Sequence, residues 1–432
     1  MKHNFSDLCN VLAIFTALVL TMSVDANAQR IDILLKGGHV IDPKNKIDGK
    51  MDVGITSGRV SRVAPDIPVG SAQKVIDVKG LYVTPGLIDI HGHVFHGTEN
   101  NYLSNSFDAL PPDGFTFRSG VTTIVDAGGA GWRSFSLFKQ NVIDRSATRV
   151  LAFLNIVGEG MKGITAHEQN TADMDPKLTA NIASENKQYI VGIKLAHFIG
   201  PDWSPTQKAV EAGTLADIPV MVDFGKSNPP LSIEELFLKQ LRPGDIFTHM
   251  YRYDPEYDSS GKMIEHKQAI VDVRTKKLKP FVLKARARGI IFDVGHGGGS
   301  FMWSQAIPAM QQGFGPDVIS SDLHTGSMNS GFKDMANLIS KMLNIGMSLP
   351  DAIAAATWRA ANAIKRPEIG HLSVGAEADV AVFNLRAGEF GFSDADGIGY
   401  KGNKKLEAEL TIRNGRVVWD LNAISATPYK AP

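Results

Sequence analysis

The chain has 432 residues, too many for one ordinary small domain and enough for a barrel of about 250 residues with a second module beside it. An apolar fraction of 43% can bury a large core, and 45 basic residues against 45 acidic ones leave no basic surplus for a nucleic-acid partner.

Residues 1–28 read as a signal peptide. Lys2 and His3 open it, Val11–Leu20 is an apolar run of ten, and Ala26-Asn27-Ala28 is a small-x-small cleavage site before Gln29. The run is short for a bilayer span, which favours cleavage over retention as an anchor. No Cys ends the run, which argues against a lipid anchor. The only Cys, Cys9, falls in the removed segment, so the mature chain would hold no disulfide and rely on its core or on bound metal. No later run is long enough to cross a membrane. The expectation is a periplasmic or secreted protein with no membrane partner after cleavage.

Residues 29–82 read as short strands: 31–36, 39–42, 51–55, 59–63 and 74–78, separated by Gly, Pro or Asp-Gly. Alone they are too few to close a core. Residues 83–365 change rhythm. Eight apolar runs recur, starting at Gly86, Gly120, Val150, Tyr189, Ile218, Asp245, Gly289 and Asp317, each followed by a helical or loop segment. Near-continuous hydrophobicity suits parallel strands buried on both faces. Residues 366–432 return to strands at 378–383, 406–412 and 415–419. The fold class is therefore α/β: a (β/α)8 TIM barrel with a small β-sandwich built from both chain ends.

Several apolar runs end in His, Lys or Asp. Charged groups are costly to bury without partners, and the C-terminal ends of barrel strands are where catalytic groups sit. The first run ends in His91-Gly92-His93; residues two apart on a strand share a face, so two imidazoles can reach one cation. The fourth ends in Lys194. This is either a lysine that snorkels or pairs, or one whose amine has reacted with carbon dioxide to give a two-oxygen bridge between cations. The fifth ends in Asp223, the sixth in His249, and the eighth in Ser321-Asp322. Asp322 can bind a cation and take a proton from activated water; the alternative is a helix cap. His91, His93, Lys194, Asp223, His249 and Asp322 thus form a candidate site for two divalent cations. Nitrogen and oxygen ligands without thiolate fit zinc, and also manganese, iron or cobalt.

These segments resemble the amidohydrolase superfamily over essentially the whole mature chain. The resemblance rests on Tyr82-Val-Thr-Pro-Gly-Leu-Ile-Asp-Ile-His-Gly-His93, Gly192-Ile-Lys-Leu195, Ser321-Asp322, Leu349-Pro-Asp-Ala-Ile-Ala-Ala-Ala-Thr-Trp-Arg-Ala-Ala, and Ile369-Gly-His-Leu-Ser-Val-Gly-Ala-Glu-Ala-Asp-Val-Ala-Val-Phe383. Asp293-Val-Gly-His-Gly-Gly-Gly-Ser300 and Ser321-Asp-Leu-His-Thr-Gly-Ser327 look like its amidohydrolase/deacetylase branch. The resemblance implies a binuclear centre with carboxylated Lys194 and hydrolysis of amide, cyclic amide or acyl bonds. There is one departure. The superfamily usually places His where Met221-Val-Asp223-Phe-Gly225 stands, which puts ligation by Asp223 in question.

Other groups follow strand ends. His296 is a candidate catalytic group for the substrate carbonyl or its oxyanion. Arg133 is placed to read a substrate carboxylate, and His197, Tyr251 and His324 to line the mouth. Residues 252–280 are charged and read as a solvated loop over the site. The preferred activity is release of an acyl group from a small molecule, with Asp322 as general base. A dihydroorotase- or hydantoinase-like cyclic amidase is the runner-up, and a non-catalytic barrel the remote alternative. Acyl group, stereochemistry and homo-oligomer formation are not written in the sequence.

Overall fold

A computed structural model describes residues 30–96, 109–161, 167–225, 227–253, 256–257, 263–264, 269–331 and 333–429. The expected signal peptide, 1–28, lies outside them. The strands in chain order are β1 (Ile31–Asp42), β2 (Ile47–Thr56), β3 (Arg59–Ala64), β4 (Ala72–Asp77) and β5 (Tyr82–Pro85). Then come β6 (Leu87–Gly92), β7 (Val121–Gly131), β8 (Arg149–Asn155), β9 (Ile190–Leu195), β10 (Val220–Val222) and β11 (Ile246–Phe247). A short hairpin, β12 (Glu256–Tyr257) and β13 (Met263–Ile264), precedes β14 (Ile291–Phe292). The chain closes with β15 (Val380–Ser393), β16 (Gly399–Arg413) and β17 (Arg416–Asp420).

The two chain ends share one eight-stranded sheet, ordered β17-β16-β15-β5-β1-β2-β3, with β4 added on β1. Its buried face carries Leu35, Val40, Val53, Val83, Val380, Val382 and Leu410. The runs 31–36 and 39–42, expected as separate strands, are one strand with a register shift between Leu35 and Gly38. The first half of β1 pairs with β4 and the second with β5, so the bulge is where the sheet branches. The hairpin β15–β16 also runs further than expected, to Ser393 and Gly399. Its outer part is largely exposed and gives no apolar alternation to read.

β6 to β11 and β14 form a seven-stranded parallel sheet, ordered β14-β11-β10-β9-β8-β7-β6. Every residue of β6, β7 and β9 is buried, as runs covered on both faces require. Ile90, Val125, Leu151, Val191, Met221 and Ile246 meet on one side. Leu87, Ile124, Leu154, Ile193 and Val220 join the larger cluster that includes helical residues such as Ala209 and Ala212.

The eighth run is not a regular strand. Val318 bridges Asp293 beyond β14, and Leu323 bridges Gly92 of β6, both in parallel. Residues 317–323 therefore lie between the two edge strands. Ser320 and Ser321 there donate their hydroxyls to the carboxylates of Asp293 and Asp89, and Asp322 has a φ of 52°. Side-chain bonding and a left-handed residue interrupt a continuous ladder.

An ion-pair cluster joins the two sheets. Arg149, the first residue of β8, donates to Asp379 at 2.7 Å, Glu377 at 2.5 Å and the Thr123 hydroxyl at 2.8 Å. Arg413 of β16 donates to the same two carboxylates. Among the described residues no helix is long and apolar enough to cross a membrane. Replacing Arg149 by Ala strips Asp379 and Glu377 of one of two cations in a mostly buried setting. The unfolding free energy should fall by about 1–3 kcal/mol, read from the urea midpoint. An unchanged midpoint would show that the cluster contributes nothing.

Candidate metal centre

His91 ends β6, and its ring is fixed from behind. Its Nδ1 lies 2.9 Å from the Thr248 hydroxyl, whose own proton goes to Asp293 Oδ2 at 2.8 Å. Thr248 therefore accepts, Nδ1 carries the proton, and Nε2 presents a lone pair inward. The same logic fixes His249. Its Nδ1 lies 2.6 Å from the Gly295 carbonyl, which only accepts, so Nε2 is again the free nitrogen. Asp322 Oδ1 is 3.0 Å from His93 Nε2 and 3.5 Å from His91 Nε2. Ligand atoms of His91, His249 and Asp322 all lie within 4.8 Å of one another. Two imidazole lone pairs and a carboxylate, buried at that spacing, suit a divalent cation. His249 and Asp322 are both left-handed, with φ of 60° and 52°, a conformation that costs about 1–3 kcal/mol for a non-glycine residue and clusters at functional sites.

Lys194 comes from β9 and is fully buried. Its Nζ lies 3.3 Å from His91 Nε2 and 3.5 Å from Met221 Sδ. No described carboxylate is within ion-pair distance, and burial pulls the amine down against the pull of Asp223, Asp322 and Asp293. Burial, with Lys194 beside it, also holds His91 well below its ordinary range, so the imidazole is neutral. Asp322 goes the other way. Burial pushes it up, yet His91, His93, His324 and His249 outweigh that and keep it ionised.

Asp223 stands beside this group. Its Oδ2 is 3.6 Å from His249 Nε2 and 3.3 Å from His197 Nε2, and its Oδ1 is 3.7 Å from Arg252. Burial raises it, but His249, His197, Arg252 and Lys194 bring it down to about 2. His197, with a φ of 53°, bridges to Glu168 at 2.7 Å.

A profile of the amidohydrolase family matches residues 302–418, a stretch that includes Asp322. A deacetylase of Brucella anthropi is 30% identical over 361 residues, covering 82% of this chain and 84% of that protein. The chain belongs to the amidohydrolase superfamily. Two solved structures are similar in fold. An adenine deaminase superposes with a TM-score of 0.78 at 26% identity, over 90% of this chain and 100% of its own. A dihydroorotase gives 0.76 at 27% identity, over 90% and 99%. As a member of this superfamily with deacetylase relatives, the chain is a hydrolase acting on carbon–nitrogen bonds.

Around the centre of this amidohydrolase the remaining candidates divide. His324 is near, its ring 6.0 Å from His93. His197 reaches the centre through Asp223. Three others are not brought there. Tyr251 is fully buried, its ring 5.5 Å from Phe301, and its hydroxyl has no hydrogen-bond partner among the described residues. The charges it senses are Arg286 and Asp317, so it points into the packed layer and not at substrate. Arg133 lies over Trp132 and pairs with Asp173 at 2.5 Å, which satisfies it away from the centre. His296 is fully buried, stacked on Phe301 at 4.7 Å and bonded to Lys341 at 2.7 Å. The imidazole expected to meet the substrate carbonyl is committed instead to Lys341 and Phe301.

The sequence reading missed the supporting groups. Asp89 and Asp293 lie in apolar runs and are pushed up by burial to about 6 and about 7. An acid inside an otherwise apolar strand was the available signal. Thr248, next to His249, gave none.

Thr248→Val keeps the shape but removes the acceptor that fixes the His91 ring. Divalent-metal affinity should fall about 10- to 100-fold, measured by chelator competition; unchanged affinity would refute the orienting role. Tyr251→Phe removes an unpartnered buried hydroxyl. Catalytic turnover should hold and stability should rise by up to about 2 kcal/mol. A large rise in KM would instead return Tyr251 to the substrate site.

Proposed function

We propose that this chain is a binuclear metallohydrolase of the deacetylase type, exported by its signal peptide, that cleaves an amide or ester carbonyl to release an acyl group. In this reading residues 83–365 form a (β/α)8 barrel closed by segment 317–323, and 29–82 with 366–432 form the flanking β-sandwich. The observation that carries it is the meeting of His91, His249 and Asp322 within 4.8 Å, with the Lys194 amine 3.3 Å from His91.

His91, His93, His249, Asp322 and Lys194 would hold two divalent cations, zinc first by donor chemistry, with Asp223 at the margin. Cations there supply Lewis acidity to a carbonyl and lower the pKa of water. Lys194 is prepared for carboxylation. Its buried amine has no described carboxylate within ion-pair distance, and burial favours the neutral form; nitrogen adds to carbon dioxide, a proton leaves, and the carbamate offers two oxygens. Asp322, kept ionised by the surrounding imidazoles, takes the proton of the attacking water and returns it to the leaving nitrogen of an amide or oxygen of an ester. His324, near His93, and His197, held against Glu168, line the approach.

A cyclic-amidase reading stays second, favoured by the fold likeness to a dihydroorotase. Purified protein should carry about two equivalents of divalent metal. A panel of N-acyl-amino acids, acyl esters and cyclic amides should identify a chelator-sensitive hydrolysis. Asp322→Asn should cut turnover about 10²- to 10⁴-fold with much less loss of metal. Full activity in that variant would remove Asp322 as proton acceptor, and metal-free protein that hydrolyses the panel unaided would sink the reading.

A further inference from the structure

Lys341 belongs to the helix Met335–Asn344, and its side chain is fully buried. Its Nζ makes three contacts of 2.7 Å, to Nε2 of His296 and to the carbonyl oxygens of Gly331 and Ser393. An ammonium has three hydrogens, and here it meets three acceptors. The two carbonyls can only accept. His296 Nδ1 lies 2.8 Å from the Gly297 carbonyl, so its proton sits there and Nε2 is a lone pair. The contacts therefore specify a protonated lysine and a neutral histidine. Burial lowers this lysine to about 7. Keeping a cation there is expensive, and packing alone would be met by methionine.

What the lysine grips is the loop on either side of His296. The Gly295 carbonyl fixes His249 Nδ1 at 2.6 Å. A Cβ on Gly297 would lie 2.1 Å from Asp322 Oδ2, and the Gly297 amide donates to the Ser321 carbonyl at 2.8 Å. Glycine is required there by this close approach and by a φ of 51°. The loop thus touches the metal centre through residues 295 and 297, and is held by Lys341 through residue 296. Gly331 lies in the segment between Asp322 and the helix Met335–Asn344, and Ser393 is the last residue of β15. One amine therefore ties the centre's loop, that segment and the flanking sheet together.

We propose that Lys341 is a positioning residue of the metal centre: through His296 it fixes the Gly295–Gly297 loop, and with it the orientation of His249 and Asp322. This rests on reading those two as metal ligands, so the test reads metal and not turnover. The affinity of the full chain for Zn²⁺ alone is measured by chelator competition, with near-UV circular dichroism reporting the fold. Lys341→Met should raise the Zn²⁺ Kd about 10- to 100-fold with the native spectrum kept. His296→Gln retains an acceptor for the lysine and should lose less affinity than His296→Leu. The double variant Lys341→Met/His296→Leu should bind no more weakly than the weaker single one. Wild-type affinity in Lys341→Met, or additive losses in the double variant, would overturn the proposal. If Lys341→Met does not fold, equal losses in His296→Gln and His296→Leu overturn it instead. A wild-type chain that bound no Zn²⁺ would remove the metal reading and this inference with it.

Discussion

The rings of His91 and His249 are each set by what the other nitrogen, Nδ1, does. Thr248 can accept from His91 only because its own proton is committed to Asp293, which also accepts from Ser320 at 2.7 Å. That chain runs from the end of β6 past the end of β11 to the residue after β14 and into segment 317–323. The bonds that orient a ligand are therefore the bonds that hold the eighth segment between the two edge strands. Ser321, bonded to Asp89 and receiving the Gly297 amide, repeats the arrangement one residue on. Site geometry and the placement of segment 317–323 beside the edge strands are one network, and loosening either loosens both.

This network is kept at a cost. Asp89, Asp293, Lys194 and Asp322 are all buried, and each is tolerable only when neutral or well partnered. The acids in the supporting layer accept several hydrogen bonds, yet burial still pushes them up. The acid at the centre is surrounded by imidazoles and stays ionised. Two carboxylates of similar burial thus diverge because one faces hydroxyls and amides and the other faces histidines. Left-handed His197, His249 and Asp322 add backbone strain at the same rim. A fold optimised for stability alone would not place them so.

Much of the architecture was legible because buried parallel strands are nearly continuous apolar runs, and the polar residue ending each run is conspicuous. His91, Lys194, His249 and Asp322, which the structure brings close together, each stand at the end of such a run. The eighth run was legible as apolar but not as irregular, since its deviation comes from Ser320 and Ser321 bonding acids far away in sequence. Tyr251 and His296 misled for a related reason. Position just past a strand end does not fix which way a ring turns. Phe301, later in the same loop as His296, and Lys341, far along the chain, decide that. Lys341 itself lies on an amphipathic helix, where a lysine ordinarily reads as surface.

Asp223 shows how one substitution is absorbed. A carboxylate where superfamily members usually carry imidazole adds a negative charge beside His249. Asp223 is held ionised at about 2, so the charge is real and must be balanced. Arg252 lies 3.7 Å from one of its oxygens, and His197 lies 3.3 Å from the other. Burial lowers His197, but its hydrogen bond to Glu168 and the charge of Asp223 raise it overall, which favours the imidazolium. Glu168 balances that cation in turn. The extra charge is thus passed outward from the centre along Asp223, His197 and Glu168, with Arg252 alongside. Compensation at the centre is partial: Asp223 still pulls His249 and Lys194 upward against burial, while Arg252, His197 and Glu168 balance its charge on the outer side.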